Sequence, residues 1–267
     1  LRYSVEADAR GLAVEISGYD DKQRLLLAKV LEMLPRGRFA PERFDGIKTE
    51  MLREWSNSAK ERPFLQLADE LHASLVARSY RDAELRAALE PAGPGDLERF
   101  VHELCGTGTL EILVHGNFSA DEARGIARLA RAPLGVAPAA GVPPVEVARL
   151  APGERWRGLN VDHPDSALLM YLQGAQSSDA ERARVALTAQ ILSAPFFNEL
   201  RTERQLGYVA FAQAYPLYRV PGLLLAVQSP VAAPGVLARE FEAFLQRQAT
   251  AAATLDEASF ARQRQAL

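Results

Sequence analysis

The sequence has little from which to build covalent or metal-based scaffolding. Cys105 is its only cysteine, so no intrachain disulfide can form and cysteine usage does not report a redox compartment. Charge of one sign is not in excess: 31 Lys and Arg stand against 34 Asp and Glu, a net charge of −3, and the two signs are interspersed. No basic stripe suited to a phosphate backbone is present, which argues against nucleic acid as a partner. Long apolar runs are also missing. The longest, such as Leu223 to Val227, fall far short of the roughly 20 residues of a membrane-spanning helix, so no membrane partner is expected. Leu1-Arg2-Tyr3 reads as the start of a strand rather than a charged leader.

What is present is a chain of 267 residues, 48% hydrophobic and 24% charged, the proportions of a folded globular protein. That length suits two ordinary domains or one large one. Val5, Leu12, Val14 and Ile16 alternate around Ala9-Arg10-Gly11, as in two strands joined by a tight turn. Helical spacing follows in Leu25, Leu26, Val30, Met33 and Leu34 up to Pro35, and over residues 41–59 with Phe44, Ile47, Met51 and Trp55 on one stripe. Pro63 opens a third helix carrying Leu67, Leu71, Leu75 and Val76. Further helices are expected over 82–89 and, with Asp96 as N-cap, up to Leu104. Leu110, Ile112 and Val114 alternate as a strand ending at His115-Gly116-Asn117, and Ser119 caps the next helix.

Between residues 132 and 153, Pro133, Pro138, Pro143, Pro144 and Pro152 stand among Ala and Gly, the composition of an interdomain linker. Strands are then expected over 156–161, 167–173, 208–215 and 223–228, with helices over 179–193, through Leu200, and over 236–248. Trp55 and Trp156 read as core anchors, and Asp20-Asp21 as a solvated turn and helix cap.

The chain also resembles itself. Gly11 to Leu34 and Gly222 to Leu245 match without a gap over 24 residues as strand, turn and helix. Upstream, Leu1 to Val5 pairs with Leu206 to Ala210, so that Tyr3 matches Tyr208; downstream, Glu42 to Phe44 resembles Glu257 to Phe260. The repeat, with a period of about 205 residues between Tyr3 and Tyr208, implies tandem copies, neither of them complete. The expected fold class is α+β: tandem homologous domains, each a mainly antiparallel sheet covered by helices on one face. The expected division is 1–131 and 155–267 as partial domains, joined by a linker over 132–154.

From Phe196 through Glu199-Leu200-Arg201-Thr202-Glu203-Arg204-Gln205-Leu206-Gly207-Tyr208 to Val209, the sequence resembles the fourth-domain signature of the pitrilysin/insulysin family of inverted-motif zinc peptidases. Gly18 to Gln23 is similar to the strand-to-helix turn of that family's third domain, and His115-Gly116-Asn117 to its strand-ending turn. The resemblance covers nearly the whole chain and is weakest in the proline-rich stretch. It implies a substrate-holding fragment from the non-catalytic C-terminal half, inactive alone. The parent would be a zinc metalloendopeptidase that encloses peptides between two halves. The implied partners are the N-terminal catalytic half of the parent chain and a peptide substrate. Incomplete copies would leave sheet edges or apolar helix faces, so either a homo-oligomer or tight packing of the two partial copies on each other is expected. A bacterial periplasm or cytoplasm fits the family equally.

The family's His-x-x-Glu-His zinc motif is not in the sequence. His72, His102, His115 and His163 are scattered, so zinc is expected in the parent only and no metal or catalytic residue in this chain. His102 and Cys105, three apart beside Glu103, supply too few ligands for a tetrahedral site; an ordinary His and a packed thiol are expected. The resemblance implies that Arg201 and Tyr208 face the zinc across the chamber and support the scissile peptide. Both side chains can donate to a carbonyl gaining charge, and Gly207 suits a helix C-terminus between them. The alternative pairs Arg201 with Glu203 and leaves Tyr208 to pack. Two functional alternatives also stay open: a binding or assembly module of a parent without a zinc site, and a role in maturing a peptide-derived cofactor.

Overall fold

The computed structural model describes residues 1–8, 10–34, 39–134, 144–254 and 256–267. Its contacts divide the chain into two units, Leu1–Glu54 with Ala83–Val145, and Trp55–Asp82 with Glu146–Leu267. The fold class is α+β, with antiparallel sheets.

In the first unit, β1 (Arg2–Asp8) and β2 (Gly11–Ser17) form the expected hairpin, with Tyr3 opposite Ile16 and Val5 opposite Val14. Gly11 takes a positive φ of 132° at the turn, a conformation open to glycine alone at little cost; Ala9 lies outside the described residues. Helix α1 (Gln23–Met33) packs on β2 and on α6 (Ala120–Arg131); Leu31 is buried on the one helix, and Ile126 and Ala130 on the other. Lys22, not Asp20-Asp21, holds the N-cap position of α1. α6 starts where Ser119 predicts. The Ser119 hydroxyl accepts from Glu122 N, and the Glu122 carboxylate accepts from Ser119 N at 2.8 Å, a reciprocal capping box.

Helix α2 (Pro41–Asn57) stops two residues short of the expected end and runs into a 3-10 turn at Ser58–Lys60. Helix α3 (Pro63–Leu75) excludes Val76, which bridges to Val147, and α4 (Asp82–Leu89) falls where expected. Helix α5 (Pro94–Thr107) is capped by Gly93; Asp96 sits at the third helical position and accepts from Gly93 N at 2.9 Å. The expected strands at 110–114 and 156–161 do not form among the described residues. Leu113 is 90% exposed and Trp156 64%, so Trp156 anchors no core. Alternation marks two faces, but a strand exists only where a second strand meets its backbone groups.

In the second unit, β3 (Ser166–Gln173), β5 (Gly222–Ser229) and β4 (Val209–Ala214) form an antiparallel sheet in the order β3-β5-β4. One face carries Leu168, Ala210, Ala212, Leu223, Leu225 and Val227, packed against α7 (Asp179–Phe197) and α8 (Pro234–Ala253). Phe196 of α7 meets Phe241 and Phe244 of α8 edge to face, with both ring pairs 5.1 Å apart. Helix α9 (Glu257–Gln265) packs on α7. Opposite-parity residues of the sheet meet α3, where the Phe64 ring packs edge-on against Phe211. This cover on both faces buries every residue of β5, and it is why residues 55–82 group with the second unit. The chain from Glu146 is fixed there too: Ala77 N donates to Glu146 O at 2.9 Å and Ala148 N to Leu75 O at 2.7 Å. Residues 135–143 of the expected linker lie outside the described residues. The division at 1–131 and 155–267 describes proposed copies of one domain rather than these units.

The two strand–helix units agree with the internal match. β2 and α1 begin at 11 and 23, β5 and α8 at 222 and 234, so both pairs are offset by 211. The preceding strands differ from the sequence match. Tyr3 opposes Ile16, while Ala210 opposes Val227, the counterpart of Ile16. Strand pairing therefore matches Leu1, not Tyr3, to Tyr208. A two-residue slip keeps every side chain on its own face, which is why alternation alone does not reveal it.

Candidate functional site

Arg201 and Tyr208 flank the turn that leads from α7 into β4. Phe196 and Leu200 of this stretch are fully buried. Burying them four apart turns Phe197 and Arg201 outward together. α7 continues as a π-helical turn over Asn198–Glu203, closed by Arg204 N donating to Glu199 O and Leu206 N to Leu200 O, both at 3.0 Å. Single π turns recur at functional sites because the extra residue re-aims the side chains around it.

The turn ends on Gln205, whose φ of 52° is left-handed. Gly207 is therefore not the left-handed helix cap expected from sequence. Its requirement is space: a Cβ there would lie 1.9 Å from Gln228 O. Gln228 is itself buried and tied on both sides, donating to Asp165 Oδ2 at 2.7 Å and accepting from Phe64 N at 3.5 Å. Tyr208 follows Gly207, one residue before β4 begins, and is 84% exposed. It does not pack.

The Arg201 guanidinium lies over the Phe197 ring, 4.8 Å from its centroid. Among the described residues it pairs with neither Glu203 nor any other carboxylate. Glu199, the other nearby acid, is engaged by Arg247 and by Arg204 at 3.6 Å, and Arg204 reaches Glu240 of α8 at 2.8 Å. These ion pairs fasten the π turn to α8. The resulting corner presents a guanidinium and a phenol to solvent, both able to donate to carbonyl or carboxylate oxygen. Among the described residues Arg201 and Tyr208 share no hydrogen bond. From sequence, Phe196-Phe197 beside Pro195 reads as core packing, with an apolar pocket lining as the alternative; Phe196 is core, Phe197 is 37% exposed, and the four-residue spacing of Phe197 and Arg201 is the signal that points to their contact.

Cys105 is buried, and burial pushes its thiol pKa up, as for a packed rather than a reactive thiol. Among the described residues no group of three or more His, Cys, Asp or Glu is arranged to hold a metal ion.

Comparison with known proteins places these features. Residues 1–88 match the family profile described as the middle or third domain of peptidase M16, and residues 187–267 that described as PQQ synthase PqqF-like, C-terminal lobe domain 4. Human insulin-degrading enzyme is 29% identical over the whole chain, which spans 27% of that enzyme's length. The crystal structure of pitrilysin superposes with a TM-score of 0.80 at 22% identity, covering 99% of this chain and 28% of that one. A peptidase M16 inactive domain from Pseudomonas fluorescens gives 0.61 at 19% identity, covering 85% of this chain and 57% of that one. At such identities the two structures establish the fold. With the third-domain and fourth-domain profiles in the same order as the two strand–helix copies, the chain belongs to the pitrilysin/insulysin family of peptidases, within its C-terminal half.

Proposed function

We propose that this chain is the non-catalytic, substrate-holding part of a zinc-dependent endopeptidase that encloses peptides in a chamber between two halves. Zinc and the water-activating residues come from the N-terminal half of the parent protein, since His-x-x-Glu-His is not in this sequence. The observation that carries the reading is the corner at Arg201 and Tyr208: two exposed donors on a turn that is pinned to α8 and to Gln228. Fixed donors of this kind polarise a peptide carbonyl, and their hydrogen bonds strengthen as its oxygen gains charge.

The test is steady-state kinetics of Arg201→Ala and Tyr208→Phe in the full-length protein that contains this segment. Each lost donor is expected to lower turnover by on the order of tenfold to a thousandfold, with melting temperature and zinc content unchanged. A raised KM at constant turnover would reduce the pair to ground-state grip. Unchanged kinetics in both would remove them from the site. A second reading is favoured by the PqqF-like match over residues 187–267: the peptide held is the precursor of a peptide-derived cofactor. Competition between such a precursor and a generic unfolded peptide distinguishes the two. A parent lacking His-x-x-Glu-His would leave a binding or assembly module instead.

A further inference from the structure

Glu199 and Glu203 each stand two residues from Arg201, a spacing that does not bring helix side chains face to face, whereas Phe197 stands four away and does. Arg201 meets no carboxylate among the described residues, and its guanidinium rests on the Phe197 ring at 4.8 Å, while Glu199 is held by Arg204 and Arg247. The two kinds of contact have different consequences. An ion pair occupies N–H donors, whereas an aromatic face attracts the cation through its quadrupole and leaves the in-plane N–H groups free. Phe197 suits this task because it is 37% exposed while its neighbour Phe196 is fully buried; the former is available to a surface cation and the latter serves the core. Glu199 and Arg204 fasten the turn that follows the shelf to α8.

Building on the reading of Arg201 as a peptide-contacting donor, we infer that Phe197 is a positioning residue, holding the Arg201 guanidinium by its face so that the N–H donors stay available to substrate oxygen. Arg204 and Arg247 support the same arrangement by fastening the turn that carries Arg201 to α8.

The experiment is a double-mutant cycle in the full-length protein, with Phe197→Leu, Phe197→Tyr and Arg201→Ala measured singly and Phe197→Leu combined with Arg201→Ala. Phe197→Leu is expected to lower kcat roughly threefold to thirtyfold, the range of a cation–π contact, with KM changed less than twofold. Phe197→Tyr, which keeps the ring, is expected to retain turnover. In the Arg201→Ala background Phe197→Leu is expected to cost nothing further, because both remove one unit. Full additivity of the two losses, or failure of Phe197→Tyr to retain turnover in a protein of unchanged melting temperature, would overturn the inference. So would wild-type kinetics for Phe197→Leu alongside a defective Arg201→Ala, which would leave the Arg201 reading intact. An inert Arg201→Ala would instead defeat the underlying reading, and the inference with it.

Discussion

Gly207 and Glu70 illustrate how single residues set the turn and the sheet around the candidate site. A methyl group at Gly207 would fall 1.9 Å from Gln228 O, and both sides of that clash are backbone, so no side-chain rotation relieves it. Gly207→Ala is expected to destabilise the second unit by about 3 kcal/mol, as for overpacking without relief, and to displace Tyr208; urea unfolding measures it, and a change within about 0.5 kcal/mol would discount the close approach. Glu70 of α3 accepts from Arg81 Nε and Nη2 and from Ser74 Oγ, each at 2.8 Å, and also pairs with Arg157. Hydrogen bonding from Arg81 holds its carboxyl at about 2, against 4.5 ordinarily. A carboxylate with a lowered folded pKa adds stability that is fully present above the unfolded value and fades as pH falls toward the folded one. Glu70→Gln is therefore expected to cost about 1–3 kcal/mol near neutrality, and the deficit to shrink from about pH 5 down to about pH 2. A pH-independent deficit would exclude the charge as its source.

At the scale of elements, α7 joins core and site because its two faces do different work. Phe196 and Leu200 lock it to α8 and the sheet, while Phe197 and Arg201 face outward. Phe196→Ala removes a fully buried ring held between Phe241 and Phe244, and such truncations cost about 3–5 kcal/mol. Calorimetry should show that loss, and with it reduced turnover in the parent as the π turn loses its base. A variant with native melting temperature would mean that the α7–α8 contact carries little of the stability. The matched starts of β2 with α1 and β5 with α8 show the other side of element-scale design: one strand-to-helix spacing serves both units, completed by a hairpin neighbour in the first and by the more distant β3 and β4 in the second.

For the molecule as a whole, the prediction is that the purified 267-residue chain binds no stoichiometric zinc and cleaves no unstructured peptide; elemental analysis and a peptide-cleavage assay check it, and chelator-sensitive hydrolysis would overturn it. Local order was legible from the residues themselves. Helix starts at Pro41, Pro63, Asp82 and Ser119, the hairpin at Gly11, and β5 all follow from periodicity and caps that act within a few residues. The signature from Phe196 to Val209 likewise pointed to Arg201 and Tyr208 before any fold was known. Other features depended on partners far along the chain. The segments at 110–114 and 156–161 alternate like strands yet gain no neighbour, and the two-residue slip between Tyr3 and Tyr208 leaves every face unchanged. Gly207 is required by Gln228 rather than by a helix cap, and Arg201 lies on Phe197 while Arg204 and Arg247 hold Glu199. Sequence alone determined the family and the α+β class, because short-range patterns and a contiguous motif encode them. Tertiary structure alone decided which strands pair, which backbone atoms crowd Gly207 and which carboxylates are already taken, because backbone pairing, steric exclusion and competition for charge are settled only when distant segments meet.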